Sequence, residues 1–399
     1  MTGTCVVVAA KRTAFGRYLG ALSETDPLDL ASALGMAVLR VNGRDISTEI
    51  DQVFVGNCFP SAFESGYVIG RQIGLRLGLN VFSTTIDTAC CAPLTALRMA
   101  FWGISLGEIE SALVMGVETM SRVPHYCKDL RNGVRIGEVR FTDPIYPLSF
   151  TGYKSVAVDA SDGAEKHGIS KRMLDTYAMS SHLKWAEAMR RGSFDDEIVP
   201  LKIRKGGEEF SFAVDEAPRP DGSVAMIEML PTVFKSKTTT PGNAPGLNDG
   251  ATAVVIMTKE KAQILGLPHL GSIIDLSCQT DAPNGISWIP ALTIEKILKR
   301  NGKSIEDMNL IEINEAFAAM PLVSTKILAE GDEKRWNELL LKTNVNGGAI
   351  AIGHPVGASG LRITMSLLYE LRRRGGGYGV GAICGGLTQG EAVIVKVPE

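Results

Sequence analysis

The chain has 399 residues, enough for two or three domains with large buried cores, so a scaffold poor in core is excluded. Apolar residues are 45% and charged residues 21%, with 41 Lys and Arg against 44 Asp and Glu; this globular balance excludes a disordered chain or a polybasic surface, and nucleic acid is not an expected partner. No run approaches the roughly 18 uninterrupted apolar residues of a bilayer span, no basic N-terminal region leads into a long apolar stretch, and the seven cysteines contain no Cys-x-x-Cys pair, so we expect a cytoplasmic protein without membrane association, disulfide framework or bound metal.

In chain order, Cys5-Val-Val-Val-Ala-Ala predicts a buried strand, and Leu28 to Leu39 follows with its apolar residues at helical spacing. Gln52-Val-Phe-Val-Gly predicts a second strand, Leu94 to Ile104 a second amphipathic helix, and Ala112-Leu-Val-Met-Gly a third strand. Strands separated by helices imply crossover units, hence an α/β protein. From about 119 to 249 the rhythm is lost, with the turn-rich runs Asp143-Pro-Ile-Tyr-Pro and Glu216-Ala-Pro-Arg-Pro-Asp-Gly around a surface helix from Lys171 to Arg191 that stops at Gly192. A block of this size inserted into a core fold is usually functional. The rhythm resumes at Ala251-Thr-Ala-Val-Val-Ile-Met.

The two ends of the chain repeat each other. Ala33-Leu34, Val38-Leu39-Arg40, Asn42-Gly43 and Ile46 followed by Val53-Phe54-Val55-Gly56-Asn57 match Ala291-Leu292, Ile297-Leu298, Arg300-Asn301-Gly302 and Ile305 followed by Ile311-Glu312-Ile313-Asn314-Glu315. Leu97-Arg98 matches Leu361-Arg362, an offset of 264 residues, and Ala112 to Gly116 matches Gly381 to Gly385. Two homologous α/β halves are the simplest reading. The expected boundaries are 1–118 with 250–268 for the first half, 119–249 for the insertion, and 269–399 for the second half.

The same offset of 264 sets Cys90 opposite His354, each expected at the start of a helix that follows a strand. A pseudo-twofold would bring these helix starts together, and a cysteine at a helix N-terminus near an imidazole is expected to have its thiol pKa depressed, giving a nucleophilic thiolate and its base. Cys384 ends a buried strand and runs into Gly385-Gly386, whose bare backbone N–H groups suit a developing oxyanion. His354 lies within Gly347-Gly-Ala-Ile-Ala-Ile-Gly-His-Pro-Val-Gly-Ala-Ser-Gly360, a density of glycines that suggests close backbone approach to a ligand. That segment lacks Gly-Lys-Ser/Thr and fails the Gly-x-Gly-x-x-Gly dinucleotide pattern. Cys5, Cys58, Cys91, Cys127 and Cys278 read as small fillers, and His125, His167, His182 and His269 have no catalytic context.

Cys90-x-x-x-Leu94, Asn314-Glu315-Ala316-Phe317, Gly353-His354-Pro355 and Cys384-Gly385-Gly386 resemble the four signature blocks of the thiolases, in order and at family spacing. Met115-Gly-Val-Glu-Thr-Met-Ser121, Asp195-Asp-Glu-Ile-Val-Pro200 and Gly242-Asn243-Ala244 with Gly246-Leu-Asn-Asp-Gly250 also resemble thiolase segments, so the likeness covers nearly the whole chain. The resemblance implies a layered α/β/α/β/α fold of two five-stranded halves with their helices between the sheets and the insertion over the active site. It implies coenzyme A as co-substrate with no tightly bound cofactor, and a homo-oligomer, dimer or tetramer. The implied reaction is reversible Claisen chemistry on acyl-CoA. Cys90 takes the acyl group from a 3-ketoacyl thioester, and His354 accepts the Cys90 proton and supports the enolate oxygen with a water held on Asn314. Cys384 moves the proton at the acetyl α-carbon or the CoA thiol, and the N–H groups of Cys90 and Gly386 hold the thioester oxyanion. Cleaving a bond next to a carbonyl needs such an enolate sink, and covalent capture splits the barrier.

The chain departs from the family around the substrate. Pro93 stands where relatives have small residues, Ser155-Val156 replace a His-Met pair in the pantetheine wall, Pro245 replaces a serine facing CoA, and Asn284 replaces an apolar residue near the acyl group, with a turn before Gly285 as its other reading. Ala316 and Phe317 belong to the same substrate wall by resemblance, and Arg219 falls where relatives place a phosphate-binding arginine, near Lys202, Arg204 and Lys205. These differences predict an acyl substrate other than plain acetoacetyl-CoA. Two rival readings are a condensing enzyme of the same superfamily, against which Cys384 argues, and a silent CoA-binding subunit, against which the intact Cys90, His354 and Cys384 argue.

Overall fold

The computed structural model describes residues 4–59, 67–145 and 149–399, so the N-terminal tripeptide and the end of the run Asp143-Pro-Ile-Tyr-Pro lie outside the described residues. The strand Cys5–Arg12 alternates its side chains between two apolar layers. Val6 and Val8 face one buried cluster while Cys5 and Val7 face another, which is why the run is apolar throughout. The first half orders its strands as Phe82–Ile86, Gln52–Gly56, Ser111–Thr119, Asn248–Thr258 and Cys5–Arg12. The second half repeats the order with Leu310–Ile313, Gly377–Gly385, Gln389–Val397 and Gly271–Thr280.

Two features differ from the expected pair of separate five-stranded sheets. The fifth place in the second half holds only an isolated bridge between Ile311 and Thr343. The two halves also join edge to edge, Cys5 to Val7 pairing antiparallel with Ile273 to Gly271, so a single hydrogen-bonded path crosses both. Both edges are short at that point, and pairing them satisfies backbone groups that would otherwise be buried unpaired.

The helices Ala92–Leu106 and Ser359–Arg373 pack on each other and on strands from both halves, forming the middle layer. Pro27–Val38 covers the outer face of the first half and Ile289–Arg300 that of the second, which completes the five layers. Leu94, Leu97, Leu361 and Ile363 in the middle layer are fully buried, each stabilising the fold by about 1.5–3 kcal/mol. The stretch Ala89–Leu106 has a mean hydropathy of 1.3 over 18 residues, enough by length and composition for a membrane span. Here that apolarity reflects sheets on both sides of the helix, and its Arg98 is paired with Glu391 of the second half at 2.8 Å.

The segment between 119 and 249 carries the helices Val156–Lys166 and Lys171–Arg190 and the hairpin of Leu201–Lys205 with Glu208–Phe212. Ser170 caps the longer helix by accepting the Met173 N–H, and Gly192 turns left-handed just beyond its end. Arg12 of the first strand is fully buried between Glu197 and Asp215, both at 2.7 Å, and Asp215 also accepts from the Trp185 indole. Breaking such a buried cluster on one side costs about 3–5 kcal/mol, so it anchors the segment to the core.

Candidate active site

The turn before Ala92–Leu106 is sharp. Ala89 has φ 52, and its N–H donates to Asp87 Oδ1 at 2.9 Å while its carbonyl accepts from the Cys58 thiol at 2.8 Å. Cys90 follows two residues before the helix, whose second residue is Pro93, a position where the missing N–H costs little. Cys91 is buried with its sulfur 3.6 Å from the Ile383 carbonyl, a packing role.

His354 is reached differently from the expectation. It follows the single turn Ala349–Ile352 and precedes Ser359–Arg373 by five residues, so it is held by its loop rather than by a helix start. Gly353 has φ 111, and a Cβ there would lie 2.7 Å from the Asn248 side chain; that close approach lets Asn248 Oδ1 accept the His354 N–H at 2.9 Å. The imidazole bridges two groups, with Nε2 3.3 Å from Cys90 Sγ and Nδ1 2.6 Å from Ser359 Oγ. The Ser359 hydroxyl can give its one proton to the Pro355 carbonyl at 2.9 Å. It then accepts from Nδ1–H, which leaves Nε2 free to accept from the Cys90 thiol.

The expected thiolate is not what the surroundings favour. Cys90 keeps an open face, yet the apolar matter behind it and the nearby Glu118 and Asp87 push its thiol up to about 12. Burial, with Arg362 adding repulsion, pulls His354 down to about 3. Desolvation outweighs the helix N-terminus, so the resting pair is a neutral thiol hydrogen-bonded to a neutral imidazole. That pair forms the thiolate as the sulfur attacks.

Cys384 is buried at the end of Gly377–Gly385, and burial raises its thiol. The next residue, Gly385, lies against the nucleophile turn, where a Cβ on it would sit 2.9 Å from Cys91 Sγ and 3.0 Å from the Thr88 carbonyl. Gly386 adjoins the nucleophile turn; a Cβ on it would sit 3.5 Å from Ala89 Cβ and 2.7 Å from the Phe150 ring. Asn314 is fully buried at the end of Leu310–Ile313. The Arg362 guanidinium can only donate, so the atom it meets at 3.1 Å is Asn314 Oδ1, and the amide points its Nδ2 elsewhere. Among the described residues Nδ2 has no hydrogen-bond partner, which leaves a buried donor unused. Arg362 is itself held by Glu312 at 2.7 Å.

The remaining expected residues are spread around this centre. Ala316 and Phe317 pack, half-buried, in the cluster that contains Cys384. Ser155 uses its hydroxyl as the N-cap of Val156–Lys166, accepting from Val158 N–H at 3.4 Å. Pro245 is half-buried in the loop after Asn243, whose amide is tied to Asp175 at 2.8 Å. Asn284 has φ 71, a conformation Asn tolerates better than most residues, so its turn role is sufficient to explain it. Arg219 is exposed, its backbone N–H donating to His182 Nδ1 at 3.2 Å, and among the described residues its side chain makes no ion pair. Among the described residues no three His, Cys, Asp or Glu side chains converge as metal ligands.

Several site residues carry no individual functional signal in the sequence. Cys58, Phe59, Met120, Val123, Ile145 and Val356 form a small apolar cluster against Cys90. Glu118, inside one of the family-like blocks, is buried and accepts from the backbone N–H groups of Cys58, Phe59 and Gly357 at 3.0, 3.2 and 3.1 Å, tying the loop beside Cys90 to the loop of His354. Burial raises its carboxyl to about 8 despite these donors.

Family models for the thiolase N-terminal domain and the thiolase C-terminal domain match residues 5–260 and 267–397. The mitochondrial 3-ketoacyl-CoA thiolase of Bos taurus is 38% identical over 398 residues, 98% of this chain and 97% of the relative. A probable acetyl-CoA acetyltransferase of Escherichia coli strain K12 is 36% identical over 401 residues, 99% of each chain. The crystal structure of human mitochondrial 3-ketoacyl-CoA thiolase in complex with CoA superposes with a TM-score of 0.91 at 35% identity, covering 99% of this chain and 98% of that one. The acetyl-CoA acetyltransferase from Syntrophomonas wolfei gives 0.91 at 33% identity, covering 99% and 100%.

Proposed function

Because the chain belongs to the thiolase family, we propose that it is a CoA-dependent acyltransferase that cleaves 3-ketoacyl-CoA by thiolysis and runs the reverse Claisen condensation through an acyl-enzyme on Cys90. The observation that carries the reading is the Cys90 thiol 3.3 Å from an imidazole nitrogen whose partner nitrogen is fixed by Ser359, with the Gly385-Gly386 pair after Cys384 packed against the turn that bears Cys90.

In thiolysis, His354 Nε2 takes the Cys90 proton as Sγ attacks the 3-keto carbon. The bond between C2 and C3 breaks, and its electron pair leaves on the acetyl-CoA enolate. The imidazolium supports the enolate oxygen, assisted by a water held on Asn314, whose Nδ2 has no other partner among the described residues. Cys384 then protonates the α-carbon, giving acetyl-CoA and a Cys384 thiolate. In the second half-reaction that thiolate takes the proton of the CoA thiol, whose sulfur attacks the acyl-enzyme. The Cys90 thiolate leaves and recovers its proton from His354. Backbone N–H groups of Cys90 and Gly386 are assigned to the thioester oxyanion; each such donor contributes about 10²–10³ in rate.

CoA is bound as substrate. Arg219, unpaired and exposed, is proposed for its phosphates, with Pro245, Ser155, Ala316, Phe317 and Asn284 along the path to the sulfur. A homo-oligomer is supported by the outermost strand Phe82–Ile86, beside which Phe82, Met99, Trp102 and Leu106 expose apolar side chains. The setting proposed is a reducing compartment, the cytoplasm, in keeping with seven free cysteines. The test is thiolysis: 3-ketoacyl-CoA and CoA must disappear as acetyl-CoA and the shortened acyl-CoA appear in equal amounts. A silent subunit gives none of these products, and a condensing enzyme does not consume free CoA.

A further inference from the structure

We propose that Asp159, with Ser287 beside it, forms a polar subsite next to Cys384 that accepts a hydroxyl group on the acyl chain, making Asp159 a specificity-determining residue for 3-ketoacyl-CoA substrates that carry an alcohol. The proposal rests on the thiolysis reading above and names the substrate class for the same site.

Asp159 lies in the first turn of Val156–Lys166 and is only 5% exposed. Its Oδ1 has no hydrogen-bond partner among the described residues, and Oδ2 receives one long contact, 3.5 Å from the Ile286 N–H. Lys154, the cation that acts on it, is already paired with Asp162 at 2.6 Å. The Ile286 N–H that reaches Asp159 adjoins Gly285, whose N–H donates at 2.9 Å to Thr388 Oγ1, four residues beyond Cys384, and Ala160, next to Asp159, shares a cluster with Cys384, Ile286, Ala316 and Phe317. The carboxylate therefore belongs to the wall that carries the second cysteine.

Ser287 faces the same side of the helix. Gly163 is one turn beyond Asp159, and a Cβ on it would fall 1.9 Å from Ser287 Oγ. Ser287 is fully buried, and its Oγ also has no partner among the described residues. A buried polar group left unpaired is destabilising, so two on one wall call for a ligand group that serves both. An alcohol donates to Asp159 Oδ1 and accepts from the Ser287 hydroxyl. A plain alkyl chain leaves both unpaired, and an acyl carboxylate is repelled by Asp159. Burial holds the Asp159 carboxyl up to about 6, so it is an ionised acceptor at assay pH near 8.

The experiment compares thiolysis kcat/KM for 3-ketohexanoyl-CoA and its 6-hydroxy analogue in the wild-type enzyme and in Asp159→Ala, Asp159→Leu and Ser287→Ala. The wild type is expected to favour the hydroxy substrate by at least about tenfold, and the Asp159 variants to bring the ratio within about threefold of unity. A wild-type ratio near one, the result if a water merely bridges Asp159 and Ser287, overturns the proposal. So does a preference that survives in both Asp159 variants. If those variants fail to fold, the wild-type ratio and Ser287→Ala decide. Acetyl-CoA released from neither substrate defeats the thiolysis reading itself, whereas release without preference defeats the subsite alone.

Discussion

Replacing Ser359 by Ala removes the hydroxyl that holds His354 Nδ1 at 2.6 Å without touching Cys90. Ser359 is 1% exposed, so substrate does not reach it. Two costs follow from the geometry. The Nδ1–H loses its buried acceptor, about 1–3 kcal/mol, and the imidazole is free to adopt the Nε2–H tautomer, which cannot take the thiol proton. At about 1.4 kcal/mol per factor of ten, single-turnover acylation of Cys90 should slow by about 10- to 100-fold, with KM for the 3-ketoacyl-CoA changed by less than about threefold. Ser359→Thr, which keeps the hydroxyl, should recover most of the rate. Rapid-quench measurement of acyl-enzyme formation reads the effect. An alanine variant acylating within about twofold of wild type, or a KM effect equal to the loss in kcat/KM, refutes the tautomer argument.

Iodoacetamide should label Cys90 ahead of the other thiols, and because burial raises this thiol, its thiolate fraction grows about tenfold per pH unit, so the rate should still be climbing from pH 7 to 9; a flat profile over that range would mean a thiolate–imidazolium pair. Cys384→Ser should still be acylated at Cys90 but lose exchange of the acetyl-CoA α-protons by about 10²–10⁴, read by deuterium incorporation; a variant that loses acylation yet keeps exchange reverses the two roles. Glu312→Ala strands the buried Arg362 guanidinium and should destabilise the protein by about 3–5 kcal/mol in denaturant titration, with Asn314 released from its anchor; a change under about 1 kcal/mol would show the pair to be incidental.

The reach of the sequence can be judged at particular residues. Cys90 and His354 were paired by an internal offset of 264, and the structure joins them because the two central helices carry the duplication into a shared layer. The family-like blocks drew Asn314 and Cys384 to the same place. Ser359, Glu118 and Asn248 were not singled out, since each acts through a hydrogen bond to a loop group or backbone N–H whose neighbour only the fold supplies. The Cys90 shift runs opposite to the sequence expectation for a related reason: proximity to a helix start is visible in sequence, while the depth of apolar packing is not. Asn284 has two readings in the sequence, a turn before Gly285 and a pocket wall, and its left-handed backbone accounts for the turn.

The most direct test of the account is intact-mass and peptide analysis of the enzyme after brief exposure to a 3-ketoacyl-CoA without free CoA. The account predicts one acyl group, shortened by two carbons, as a thioester on the peptide bearing Cys90, stable until CoA is added and absent from Cys90→Ala. An adduct on Cys384, Cys58 or Cys91, or turnover to acetyl-CoA with Cys90 unmodified and replaceable, would contradict it.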